Sequence, residues 1–280
     1  MKFEHTQVWG LEHALRGMRN PKESWGKSDS EWMFVEDPSL INPDDEWKIV
    51  IGPNDMDLAL RLIRAGSVHR KFLRQIFVSV DITAPIYWWK EFDTYKVGTT
   101  ANSTSTMHKL ASTPITRQCF ELDDYHGELQ LIDPISLDIR TNCFIEDLEQ
   151  LRQLYLQTKD KKYWKELIRW LPSGWLQTRT VTMTYENLVA MCSQDQRRHH
   201  KLSEWRESFV EWARTLPYAQ EFIFFDELPD DPAVVRSRVD QMAKELAGYM
   251  KKNEATDGAL GLDLSALYKV LGVEEETKCA

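Results

Sequence analysis

The sequence predicts an α+β protein, and three observations carry that prediction. Segments with helical spacing and segments with two-residue alternation interleave irregularly, without regular βαβ units. Neither GxGxxG nor GxxxxGK(S/T) occurs, so the glycine-rich phosphate loops of doubly wound folds are missing. The 280 residues are 42% hydrophobic and 28% charged, an ordinary globular balance with enough chain to bury a sizeable core.

The elements follow in chain order. Residues 1–45 mix aromatics with turn residues (Asn20-Pro21, Asn42-Pro43) and predict little beyond a helix over Gly10 to Met18. Trp47 to Ile51 is a short apolar run stopped by Gly52-Pro53, a strand. Asn54 or Asp55 then caps a helix over Met56 to Ala65, and Gly66 ends it. Gln75 to Thr83 alternates, with Ile76, Val78, Val80 and Ile82 on one face of a strand that Ala84-Pro85 ends. Ile86 to Phe92 opens a helix, and Val97 to Ser105 reads as a small, polar loop. Glu146 to Leu171 is a long helical stretch with a break at Lys159-Asp160. After the turn Pro172-Ser173-Gly174, Leu176 to Met183 alternates as a strand, and Thr184 caps a helix over Glu186 to Cys192. Further helices are expected from His200 to Arg214 and from Pro232 to Lys252. No linker demands a split, so residues 1–253 read as a single domain and 254–280 as a polar tail with a short helix at Leu264 to Leu271.

Composition excludes some functions. The net charge of −9 argues against broad nucleic-acid binding, which wants a basic surface, but allows a local pocket for one anion. No run of about 18 apolar residues exists, so no membrane span is expected. The opening MKFEHTQVWGLEH carries acids and lacks an apolar stretch, so no secretory signal is expected. Cys119, Cys143, Cys192 and Cys279 are widely spaced, and they read as reduced thiols of a cytoplasmic protein.

Two clusters carry chemistry. The segment from Lys96 to Lys109 gathers six hydroxyl side chains, Asn102 and two lysines around Gly98. It can offer short donors and backbone N–H groups to a phosphate or a planar base, or it can be a solvated loop capping a helix near Thr104. Arg197-Arg198-His199-His200-Lys201 is a basic knot, either a phosphate fork or an exposed corner balanced by Glu204, Glu207 and Glu211. Adjacent histidines point apart on a helix and no third ligand stands at motif spacing, so no metal is expected. No GxSxG occurs, and Asp123-Asp124 and Asp230-Asp231 read as loop and cap residues, so no catalytic residue is assigned. Trp88-Trp89 can stack a flat ligand or lie in the core.

Two stretches, Phe72 to Lys109 and Leu171 to Pro217, together resemble the flavin-dependent thymidylate synthases over about 85 residues. The first has a strand ending in Ala-Pro-Ile, then a helix, then the motif region; the second opens Leu-Pro and continues through a strand into Glu-Asn-Leu. The signature is eroded. Thr94-Tyr95-Lys96 stands for Arg-His-Arg, Thr99 for the following serine, and Asn102-Ser103 for Asn-Glu. Ser105 matches the second serine, while Met107-His108 replaces Arg-Tyr. Lys90-Glu91 replaces Arg-Gln, and Leu73-Arg74 replaces Glu-His. Arg169 nearly matches the arginine ahead of Leu-Pro, Arg197 matches the phosphate arginine with Arg198 as the alternative, and Leu202-Ser203-Glu204-Trp205 replaces Ala-Gln-x-Glu.

The resemblance implies an oligomeric α+β fold with a mixed sheet and long helices, a homotetramer with FAD bound between subunits. It implies methylation of dUMP with methylenetetrahydrofolate as carbon donor and NADPH as reductant. Tyr95, Lys96, Thr99 and Asn102 would then touch the cofactor, and Ser105, Arg169, Arg197 and Arg198 the pyrimidine nucleotide. No side-chain nucleophile is required, but lost arginines mean lost charge stabilisation. The alternative is a non-catalytic nucleotide-binding or assembly protein that kept the fold.

Overall fold

The computed structural model describes residues 1–35, 46–131 and 134–229. The turn at Asn42-Pro43, Asp230-Asp231, the helix over Pro232 to Lys252, the 254–280 tail and Cys279 lie outside the described residues. The chain divides into two compact units.

The first unit comprises 1–8, 78–183 and 195–213. Its sheet has the strand order β1 (Lys2–Trp9), β4 (Phe77–Pro85), β6 (Leu176–Thr184), β5 (Thr100–Ser103). The expected alternation of β4 holds: Val78, Val80, Ile82 and Ala84 are buried. Val181 and Met183 of β6 are buried as well. β5 runs antiparallel to β6, with Asn102 opposite Thr180 and Ser103 opposite Arg179. The expected Val97 to Ser105 loop is thus partly a strand; all four β5 residues are exposed, so no apolar alternation marks it. β1 was not expected either. It is an edge strand with only Phe3 and Val8 half-buried, and His5 has φ +53°, which breaks the alternation.

α3 (Ile86–Phe92) buries Trp88, Trp89 and Phe92 in an aromatic core with Trp205 and Phe209. The long helical stretch is two helices, α5 (Leu137–Thr158) and α6 (Lys161–Arg169). The break falls where expected: Lys159 is left-handed, and the Asp160 carboxylate caps α6 by accepting from Lys162 N at 2.9 Å. Leu148 and Leu167 close a smaller core with Leu110, Ile115, Phe120 and Ile145.

One ion pair fastens the 111–115 loop to α5. Glu149 accepts from Arg152 Nε (2.7 Å), Arg152 Nη2 (2.6 Å) and Ile115 N (2.8 Å), and Arg152 Nη1 donates to Ala111 O at 3.1 Å. The hydrogen bonds from Arg152 hold the Glu149 carboxyl down at about 2, below its ordinary 4.5. A depressed carboxyl adds stability above its unfolded value and loses it as pH falls through the folded one. Acid titration of folding is therefore expected to show a loss between about pH 4.5 and 2 that Arg152→Met flattens. An unchanged acid profile in urea titrations of that variant would contradict it.

The second unit comprises 9–77, 184–194 and the chain from 214. α1 (Leu11–Arg19) and α2 (Pro53–Arg64) carry Ala14, Leu15, Met18, Met56, Leu60 and Ile63 into its core. Gly10 has φ +90°, and a Cβ there would stand 2.1 Å from Gln75 O, so only glycine fits. β2 (Glu31–Val35) pairs antiparallel with β3 (Glu46–Val50), from Glu31↔Val50 to Val35↔Glu46. β3 was expected and β2 was not.

Neither Asn54 nor Asp55 caps α2. The capping carboxylate is Asp29, which accepts from Asn54 N at 2.8 Å and Asp55 N at 3.0 Å. Asp55 is instead fully buried. It accepts from Arg19 Nε at 2.5 Å, from Ser28 Oγ and Ser30 Oγ at 2.6 Å each, and from Asp29 N at 3.3 Å. Thr184 caps α7 (Tyr185–Met191) as expected, in a reciprocal box with Asn187. α10 (Ala219–Phe222) completes the core through Phe222, edge-on to Phe72 at 5.8 Å.

Candidate functional site

Both stretches that carry the motif residues have their chemistry in the first unit. α3 ends in a 3-10 turn over Asp93–Tyr95, and the chain then passes Lys96 to Thr99 before entering β5. Lys96 is exposed, and its carbonyl accepts from both Thr99 N and Thr99 Oγ1 at 3.1 Å. Asn102 is exposed on β5. Ser105 Oγ caps α4 (Thr106–Lys109) by accepting from His108 N at 3.1 Å, close to the expected helix start.

Arg197, Arg198 and His199 of the basic knot lie on a short helix not foreseen in the sequence, α8 (Gln194–His199), with Arg197 half-buried and Arg198 exposed, and His200 and Lys201 follow it. The expected continuous helix from His200 is replaced by a π-helix over Glu204–Phe209 and then α9 (Val210–Arg214). π-turns inside helices recur at functional sites.

Trp205, fully buried on the π-helix, joins the two segments. His200 stacks on it at 4.7 Å and 13°, and Tyr95 lies against it at 5.5 Å. Burial pushes the His200 imidazole below its ordinary value, and its Nδ1 accepts from Leu202 N at 3.1 Å, as a neutral ring can. Beside it, Tyr87 donates its hydroxyl to Glu204. Burial and the Glu204 carboxylate raise the Tyr87 phenol. Trp88 and Trp89 are core, so they offer no stacking face to a ligand.

Arg169, at the end of α6, pairs with Glu166 one turn earlier. Arg179 on β6, not among the expected site residues, lies 4.3 Å over the Trp89 ring and pairs with Asp93 at 3.0 Å. Nothing in the sequence marks it beyond a cation inside an alternating strand. Tyr95 is thus brought to the second stretch through Trp205, whereas Arg169 engages its own helix.

No family model matches the sequence, and no curated protein does. Solved structures do. The flavin-dependent thymidylate synthase ThyX of Helicobacter pylori, complexed with FAD and dUMP, matches with a TM-score of 0.52 at 15% identity, over 82% of this chain and 100% of that one. A second structure of that enzyme with FAD and dUMP gives 0.50 at 14% identity, over 79% and 95%. At this identity the likeness is one of fold: this chain has the fold of the flavin-dependent thymidylate synthases.

Proposed function

We propose that this chain binds FAD and a pyrimidine nucleotide and methylates dUMP to dTMP, or performs a closely related reaction on such a nucleotide. In this reading NADPH and methylenetetrahydrofolate are substrates, residues 1–253 act as one domain, and the working form is a cytoplasmic homotetramer. The observation that carries it is the meeting of Tyr95 and His200 on Trp205, which joins the two stretches of the resemblance. Both Helicobacter pylori structures of this fold hold FAD and dUMP.

The residues present fit a phosphate-bearing planar ligand in kind. Lys96 and Arg198 are exposed and Arg197 is half-buried, and the Asn102 side chain has no hydrogen-bond partner among the described residues. Bound flavin would supply the electrons. Lys96 supplies point charge, while Thr99, Asn102 and Ser105 orient, because a lysine cannot copy an arginine fork.

Titration of FAD and dUMP, read by visible absorbance and calorimetry, tests this. Lys96→Ala is expected to reduce FAD or nucleotide retention with the fold intact. Arg197→Ala, or Arg198→Ala, is expected to weaken a uridine monophosphate by roughly 1.5–3 kcal/mol, the scale of a hydrogen bond to a charged group. A colourless protein that takes up no FAD would favour the second reading, a non-catalytic nucleotide-binding or assembly protein. That reading is supported by the local duties of the motif residues: Thr99 bonds back to Lys96, Ser105 caps α4, and Arg169 pairs with Glu166.

Self-association would cover several exposed apolar side chains. Trp9, Trp32, Leu129, Leu131, Ile139 and Trp170 are all more than two-fifths exposed. The Trp-rich start of α3 does not contribute, being covered by Trp205 and Phe209 of the same chain. Light scattering at micromolar concentration is expected to exceed the 32.8 kDa of one chain, and a monodisperse monomer would overturn the tetramer.

A further inference from the structure

The first unit holds a cavity of about 360 Å³. The loop over 120–125, the first turns of α5 and the turn at Pro172 to Gly174 enclose it. None of the residues proposed to hold FAD or the nucleotide lines it. Its volume falls in the range of small-molecule sites. Phe120, Leu122, Phe144, Ile145 and Pro172 give it apolar walls. The hydroxyls of Tyr125 and Thr141, which also line it, meet each other at 2.5 Å and so spend much of their polarity locally.

One group in the wall is under-compensated. The Glu121 side chain is only 5% exposed. Among the described residues its one backbone donor is Asp123 N, 2.9 Å from Oε1. The Met1 ammonium stands 3.9 Å from Oε2 and 3.7 Å from the Asp123 carboxylate, both beyond hydrogen-bond length. Burial raises the Glu121 carboxyl above its ordinary range, and the Asp123 carboxylate adds to the rise. A carboxylate in an apolar wall costs free energy until a positive charge or a strong donor meets it. Arg140 also lines the cavity, but it is exposed, and an exposed guanidinium gains little from a new anion. The buried carboxylate therefore decides the complement: a ring for the apolar walls and an ammonium for Glu121.

We infer that this cavity is a binding site for a small arylalkyl amine, its ring against Phe120 and Phe144 and its ammonium on Glu121. The site stands apart from the flavin-and-nucleotide reading and does not depend on it. A ligand of the same shape without the positive charge leaves the carboxylate unpaired, and a carboxylate ligand sets like charges together.

Calorimetric titration of the full chain with phenethylamine, phenethyl alcohol and hydrocinnamate tests the assignment, because the three share a phenylethyl body and differ in charge. Phenethylamine is expected to bind with a Kd below about 1 mM, and the other two at least about tenfold more weakly. Equal binding of amine and alcohol, or tighter binding of hydrocinnamate, overturns the ammonium assignment, and binding of none of the three overturns the site. Phe144→Trp, which fills the cavity, is expected to abolish amine binding; binding that survives in the folded variant places the amine elsewhere and overturns this cavity. Glu121→Gln, checked for folding by circular dichroism, is expected to bind amine and alcohol alike; a surviving preference for the amine overturns the role of Glu121. Titrations with FAD and dUMP are expected to be the same in both variants as in the wild type, so failure of this site and failure of the broader reading are read separately.

Discussion

Asp55→Ala is expected to destabilise the protein by about 3–5 kcal/mol, the scale of a buried ion pair broken from one side. Asp55 is the fully buried acceptor of four donors, and Arg19, itself only 4% exposed, has no other carboxylate beside it among the described residues. Removing the carboxylate strands a guanidinium whose Nη2 already lacks a partner, and it leaves Ser28, Ser30 and Asp29 N without their acceptor. The damage reaches α1, α2 and the 28–30 segment together. Asp55→Asn keeps the shape and one acceptor oxygen, so it is expected to fall between the wild type and the alanine variant. Urea denaturation followed by circular dichroism measures both. A loss below about 1 kcal/mol for Asp55→Ala would show that water or repacking replaces the carboxylate.

Trp205→Ala is expected to cost a similar 3–5 kcal/mol, the range of large aromatic truncations in a core. Trp205 is fully buried and meets Trp88 at 5.3 Å, Phe209 at 5.1 Å and Tyr95 at 5.5 Å. It also covers His200, whose imidazole is held down chiefly by burial. Truncation is therefore expected to let the His200 value rise toward the ordinary histidine range, while Trp205→Phe keeps a ring over it and shifts it less. Proton NMR titration of His200 below the melting temperature reads the difference. An unmoved His200 in Trp205→Ala would show that burial by this ring does not set its protonation.

What could be read in advance divides along physical lines. β4 was legible because one face is buried, so every second residue must be apolar. The α5–α6 break was legible because Lys159-Asp160 interrupts the spacing and Asp160 is a good cap. β1 and β5 were not, because edge strands exposed to water bury too little to impose a pattern. The α2 cap reads as Asn54 or Asp55 because such residues at a helix start usually cap, but Asp29 does so and Asp55 is buried. Its true role depends on Arg19, Ser28 and Ser30, which only folding brings to it. The site divides similarly. Lys96, Asn102 and Arg197 could be picked out as residue types in suggestive company, but Tyr87 and Glu204 are 117 positions apart and meet only in space.

The π-helix at Glu204–Phe209 sets the phase of what precedes it. A wide turn holds one residue more than an α-turn, so deleting one residue there would wind a regular helix rather than break one. The segment upstream would then turn by about 100° around the axis, one α-helical step. His200 and Trp205 would swing away from Tyr95 while Phe209 and Trp212 stayed in place. In indel terms this short stretch is phase-locked.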